Sequence, residues 1–80
     1  MTDEKIKALA YTPLLDAWKV IHMTQHLKQN DAEEWNAYKE AHDNFCKKYG
    51  DEKYTFAWYL GMAIMAVVDD IAKLNREEDK

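Results

Sequence analysis

Apolar residues along this chain recur at three- and four-residue intervals, and nowhere alternate as a strand would. The clearest stretch is the third, about 31–49. Trp35, Tyr38, His42, Phe45 and Tyr49 fall at spacings of three, four, three and four. That is one stripe of an amphipathic helix. Ala41 and Cys46 flank the stripe, and Glu33, Asn36, Lys39, Glu40, Asp43, Asn44 and Lys47 cover the other side. The preceding stretch, about 13–28, is less tidy. Leu14, Trp18 and Ile21 share one face, while Val20, Met23 and Leu27 lie roughly opposite. The last stretch, about 52–76, holds the run from Tyr54 to Val68, which carries no charge.

At 1.5 Å per residue that run spans about 22 Å, short of the roughly 30 Å of a bilayer core. Asp51, Glu52 and Lys53 bound it on one side and Asp69 and Asp70 on the other. A soluble helix is expected, with no membrane partner. On a helical wheel it divides into two inward seams. Phe56, Leu60, Ala63, Val67, Ile71 and Leu74 form one; Tyr54, Trp58, Gly61, Met65, Val68 and Ala72 form the other. A third line, Tyr59, Met62 and Ala66, points with Asp69 and Asp70 toward solvent. Either the N-terminal helix covers this patch with Ile6, Leu9 and Tyr11, or a second chain does.

Local signals set the boundaries. Thr12-Pro13 has the form of an N-cap followed by proline at the first helical position, or else Pro13 kinks one longer helix. Asn30 with Glu33, or Asp31 with Glu34, makes a capping box. Gly50 follows two lysines and a tyrosine, as a helix C-terminus prefers, and Asp51 is placed to cap the next helix. The expectation is an all-α fold: a small helical bundle of three main helices with a short N-terminal helix over about 3–11. It occupies 1–80 as a single domain, with 75–80 a frayed tail.

Eighty residues with a single cysteine exclude an internal disulfide, which suits a reducing, cytoplasmic setting. The net charge is −4, with 11 Lys and Arg against 15 acids, and no basic cluster stands out. Direct nucleic-acid binding is therefore not expected. The N-terminus has acids where a secretory leader has a basic start.

Candidate chemistry is thin. His22 and His26 stand four apart, as do His42 and Cys46, but helix register puts the four groups too far apart for one site. No metal and no cofactor are expected. Asp69 and Asp70 diverge by about 100° on a helix and cannot converge on one ion. Glu40-x-x-Asp43 lacks a second acidic pair, and the chain has no serine. A catalytic constellation cannot be assembled, so a non-enzymatic role is expected.

That role is a small protein–protein interaction module: a regulator, inhibitor or accessory subunit of a larger complex. Tyr59, Met62, Ala66, Asp69 and Asp70 would meet a protein partner or a second copy, as in a homodimer. Small acidic helical proteins of phages and mobile elements act as such inhibitors, an analogy of size and charge alone. The alternative is a small-ligand or metal-binding bundle with Trp18, His22, Tyr38 and His42 lining a pocket between the second and third helices.

Overall fold

The computed structural model describes residues 1–49 and 52–78. Among them are three helices and no strand. Helix α1 is continuous through three segments: α-helical Asp3–Ile6, a π-helical turn Lys7–Tyr11, and α-helical Thr12–His22. Helix α2 is Ala32–Tyr49 and helix α3 is Phe56–Glu78.

The π turn explains how one helix passes through Pro13. Proline has no N–H, and its ring collides with the carbonyl four residues back in a regular α-helix. Widening the turn by one residue relieves that collision, and the Thr12 N–H reaches back five residues to the Lys7 carbonyl. Thr12 is itself helical, at φ −63° and ψ −47°. The N-cap expected at Thr12 is therefore at Thr2, which is extended and whose hydroxyl accepts the Lys5 N–H at 3.2 Å. Asp3 and Glu4 follow in the first turn, where negative charge favours a helix start.

Helix α1 ends at His22, about one and a half turns before the expected limit. Tight turns follow instead. The Thr24 N–H bonds the Ile21 carbonyl at 3.0 Å and its hydroxyl donates to the same oxygen at 2.7 Å. These bonds let Leu27 fold inward, where it is fully buried.

Of the two expected pairs, Asp31 with Glu34 supplies the cap: Asp31 Oδ1 accepts the Glu34 N–H at 3.2 Å, while the Asp31 N–H donates to the Lys28 carbonyl at 3.2 Å. Trp35 reinforces this start by donating its indole N–H to the Lys28 carbonyl at 2.9 Å. Helix α3 starts later than expected because Tyr54 takes φ 69°, the left-handed region, and cannot join a helix. Thr55 caps it, accepting the Trp58 N–H at 3.3 Å and donating to the Glu52 carbonyl at 2.9 Å. The cap roles assigned to Gly50 and Asp51 lie outside the described residues.

Helices α1 and α3 run in the same direction, with α2 antiparallel to both. Pro13 and Ala57 line one crevice at one end. At the other end Asn75 Nδ2 donates to the Leu27 carbonyl at 2.7 Å and the Gln25 carbonyl at 3.1 Å. Arg76 reaches Gln29 at 3.2 Å. Of the segment expected to fray at 75–80, the described part is helical through Glu78 and tied to the α1–α2 connection through Asn75 and Arg76, and the last two residues lie outside the described residues.

The core takes Ala17 and Val20 from α1, Leu27 from the connection, Tyr38 and Phe45 from α2, and Ile64, Val68 and Ala72 from α3. On α3 the buried line is Gly61, Ile64, Val68 and Ala72. Gly61, Val68 and Ala72 belong to the second seam read from the sequence, whereas Ile64 belonged to neither. Two neighbours on adjacent sides share one inward face of α3. Residues at the outer edges of both seams are left in water, including Phe56, Ala63, Met65 and Leu74.

The candidate docking face of helix α3

From Phe56 to Val68 helix α3 is uncharged around its whole circumference. A helix of that kind is normally enclosed on all sides. Here only one face is enclosed. Tyr59 and Met62 are each 53% exposed on the opposite face, and Ala66 is exposed beside them. Asp69 and Asp70 follow, both exposed, and mark where the face becomes polar.

The N-terminal part of α1 does not cover this patch. Ala8, Leu9 and Pro13 lie instead against the start of α3, around Phe56 and Ala57, and Ile6, Leu9 and Tyr11 are themselves exposed. Helix α1 is continuous through the π turn and Pro13, and its N-terminal half passes beside the start of α3. Of the two covers expected for the patch, the one within the chain is excluded by this path.

Beside the patch runs a groove between α2 and α3. Its upper part, a cavity of about 270 Å³, is lined by His42, Cys46, Trp58, Gly61, Met62 and Met65 among others. Its lower part is lined by Trp35, Tyr38, Lys39, His42, Met65 and Asp69. His42 forms the floor. Its Nε2 lies 2.9 Å from the Gly61 carbonyl, so Nε2 carries the proton and donates to it. The Cys46 thiol is 3.9 Å from Nδ1 of the same ring. Gly61 of α3 faces both side chains across the groove. Tyr54, Trp58 and Tyr59 form an aromatic cluster at the upper end, with ring centroids 5.1–6.5 Å apart. Burial pushes the Tyr38 hydroxyl above its ordinary pKa, and the nearby Asp69 charge adds to the shift.

The alternative pocket of Trp18, His22, Tyr38 and His42 does not form. Asp16 occupies the flank of α1 that faces α2, so Trp18 and His22 point away from α2. Trp18 stacks on His22 at 5.5 Å on the exposed side of α1. Tyr38 and His42 contact each other at 5.9 Å on α2, where they face α3. His22 ends its helix and His26 follows in a turn, so the two do not share a helical face. Among the described residues no three His, Cys, Asp or Glu side chains converge in a metal-binding cluster. Nor is any described helix long and apolar enough to cross a membrane.

One polar constellation had no signal in the sequence spacing. Asp16 on α1 accepts from Lys48 Nζ at 2.8 Å and from the Tyr49 hydroxyl, both on α2. Lys19 stands 3.9 Å away. The Lys48 and Tyr49 hydrogen bonds hold the Asp16 carboxyl below its ordinary pKa. The bond to Asp16 raises Lys48, while burial and then Asp16 raise Tyr49. This is a clasp between helices α1 and α2.

Comparison with protein-family models, with curated proteins and with solved structures found no match.

Proposed function

We propose that this protein is a non-enzymatic interaction module, a three-helix bundle that binds another protein through the outer face of α3 and the α2–α3 groove. The observation that carries this reading is the mismatch on α3. Its first half is apolar on every side, yet the chain encloses one side. The partner element that fits is an amphipathic helix, its apolar anchors seated between Trp58, Met62 and Met65 on one side and His42 on the other. Methionine suits such a surface because its unbranched, polarizable side chain adapts to the partner's shape. Tyr59 and Trp58 supply large contact area with few rotatable bonds. Asp69 and Asp70 favour a partner helix with basic residues at the corresponding end. A regulator, inhibitor or accessory subunit works in this way, by occupying a surface on a larger protein, and needs no reacting group of its own.

Met62→Glu tests the reading. The purified variant keeps the helical spectrum and melting temperature of the wild type, because the position is exposed. It loses the protein that the wild type captures from its host extract. Capture of the same protein by both would refute the role of this face.

A further inference from the structure

The upper part of the α2–α3 groove gathers sulfur. His42 and Cys46 stand four apart on α2, and Met62 and Met65 stand three apart on α3. Each spacing puts its two side chains on one face of their helix. All four residues line the same cavity of about 270 Å³. Its donors are thus one imidazole, one thiol and two thioethers, two from each helix.

His42 is held as a metal ligand is held. Its Nε2–H donates to the Gly61 carbonyl at 2.9 Å, which leaves Nδ1 as the nitrogen with the lone pair. Ligating histidines ordinarily give their other N–H to a carbonyl or carboxylate, which fixes the ring. Cys46 Sγ stands beside this ring, 3.9 Å from Nδ1 and 4.0 Å from Nε2. A turn about the Cys46 Cα–Cβ bond accompanies coordination by both groups. The methionines are unbranched and about half exposed, so their sulfurs are free to swing over the cavity.

We infer that this cavity binds Cu(I), through the Cys46 thiolate, the Met62 and Met65 thioethers and His42 Nδ1. Three features select the ion. First, thiolate and thioether are soft ligands, and together they favour Cu(I). Zinc sites are built from Cys, His, Asp and Glu, and only two such groups are present here. Second, no described Asp or Glu lines the cavity, so calcium and magnesium lack the oxygen ligands they require. Third, Lys53 lines the same, mostly apolar cavity. Cu(I) on one thiolate is neutral there, whereas a divalent ion keeps a positive charge beside the lysine. Binding forms the copper–sulfur bond and breaks the Cys46 S–H bond, whose proton passes to water. The ion enters as Cu(I) and its oxidation state does not change.

This site goes beyond the docking role and does not depend on it, because the purified chain alone supplies every donor. The test uses that chain without an affinity tag, reduced and free of oxygen, in competition with a chromophoric Cu(I) chelator. The wild type is expected to withdraw one ion per chain, with sulfur neighbours in the copper-edge absorption spectrum. Cys46→Ser, and Met62→Leu combined with Met65→Leu, are each expected to weaken binding by about tenfold or more. Circular dichroism is expected to show their helical content retained. His22→Ala with His26→Ala is expected to bind as the wild type does. A wild type that withdraws no copper overturns the inference, as does a thioether-free variant that binds as tightly. Equal withdrawal of Zn²⁺ from its own chelator overturns the choice of ion. Failure of any of these leaves the docking face standing, since that is read by capture of a partner.

Discussion

Gly61→Ala measures how closely α2 approaches α3, because two opposing effects meet at one atom. Gly61 lies within α3, where glycine is less favourable than alanine by about 0.5–1 kcal/mol through backbone entropy and lost propensity. Against this stands the space a methyl group would need. A Cβ built there would sit 3.4 Å from Cys46 Sγ and 4.0 Å from His42 Nε2. Both are ordinary van der Waals separations, and the nearer atom ends a side chain that can yield slightly. The bond from His42 to the Gly61 carbonyl is to backbone and survives the change. The propensity gain therefore prevails, and Gly61→Ala is stabilising by about 0.5–1 kcal/mol. For a domain of this size each kcal/mol moves the melting temperature by about 4–8 °C. Thermal melts followed by circular dichroism read the shift. Gly61→Val adds two methyl groups beyond the Cβ and is expected to reverse the sign, by overpacking that costs about 1–3 kcal/mol. A melting temperature lowered by Gly61→Ala would show that the helices pack closer than the structure has them.

Other expectations follow from the polar ties. Asn75→Ala removes both bonds to the Leu27 and Gln25 carbonyls, and leaving a part-buried carbonyl unpaired costs about 1–3 kcal/mol; a melting temperature within a degree of the wild type would refute its role as a latch. Thr55→Ala removes the cap of α3 and lowers stability by about 1 kcal/mol, whereas Thr12→Ala, inside a helix, has little effect; equal losses would contradict the capping assignment. The Asp16 carboxyl titrates lower in the folded protein than in the unfolded chain. Its contribution is thus complete above the unfolded carboxylate pKa and is lost as pH falls through the lowered folded value. Tyr49 is raised, so its contribution is complete below the ordinary tyrosine range and lost as pH rises through the raised value. Asp16→Asn is expected to flatten the acid limb of the melting temperature against pH, and the alkaline limb only in part, because burial of Tyr49 remains. An unchanged acid limb would show that the clasp contributes nothing.

Much of the fold is legible in local pattern. The stripe on α2 placed Tyr38 and Phe45 inward, and Asp31 caps that helix through the Glu34 N–H as its residues suggest. What was not legible depended on partners distant in sequence. Nothing local distinguishes Thr12-Pro13 as a helix start from a proline accommodated by a π turn, since that choice rests on where α1 packs. Periodicity put Gly61, Val68 and Ala72 of the inward line of α3 in one seam but not Ile64, because every position from Phe56 to Val68 is apolar and the wheel has no polar side to orient it. Ile64 was lost for that reason. Asn75 looked like the start of a polar tail, and only the α1–α2 connection reveals what it bonds. The outward line of Tyr59, Met62 and Ala66 was legible because it runs into Asp69 and Asp70 on the same face. The pocket of Trp18, His22, Tyr38 and His42 was misjudged because the Asp16 clasp sets the rotation of α1 against α2.

The central claim is that α3's outer face is left open by its own chain and covered by another protein. Methionine oxidation footprinting at Met62 and Met65 tests it most directly, since both side chains are about half exposed in the folded chain. In the purified protein both are expected to oxidise readily, at every concentration and with or without residues 1–11. In host extract Met62 is expected to be protected while Met1, far from the face, reacts as before. Protection of Met62 in the purified protein, released by removing the N-terminal residues, would contradict the account, and so would equal reactivity in protein and extract.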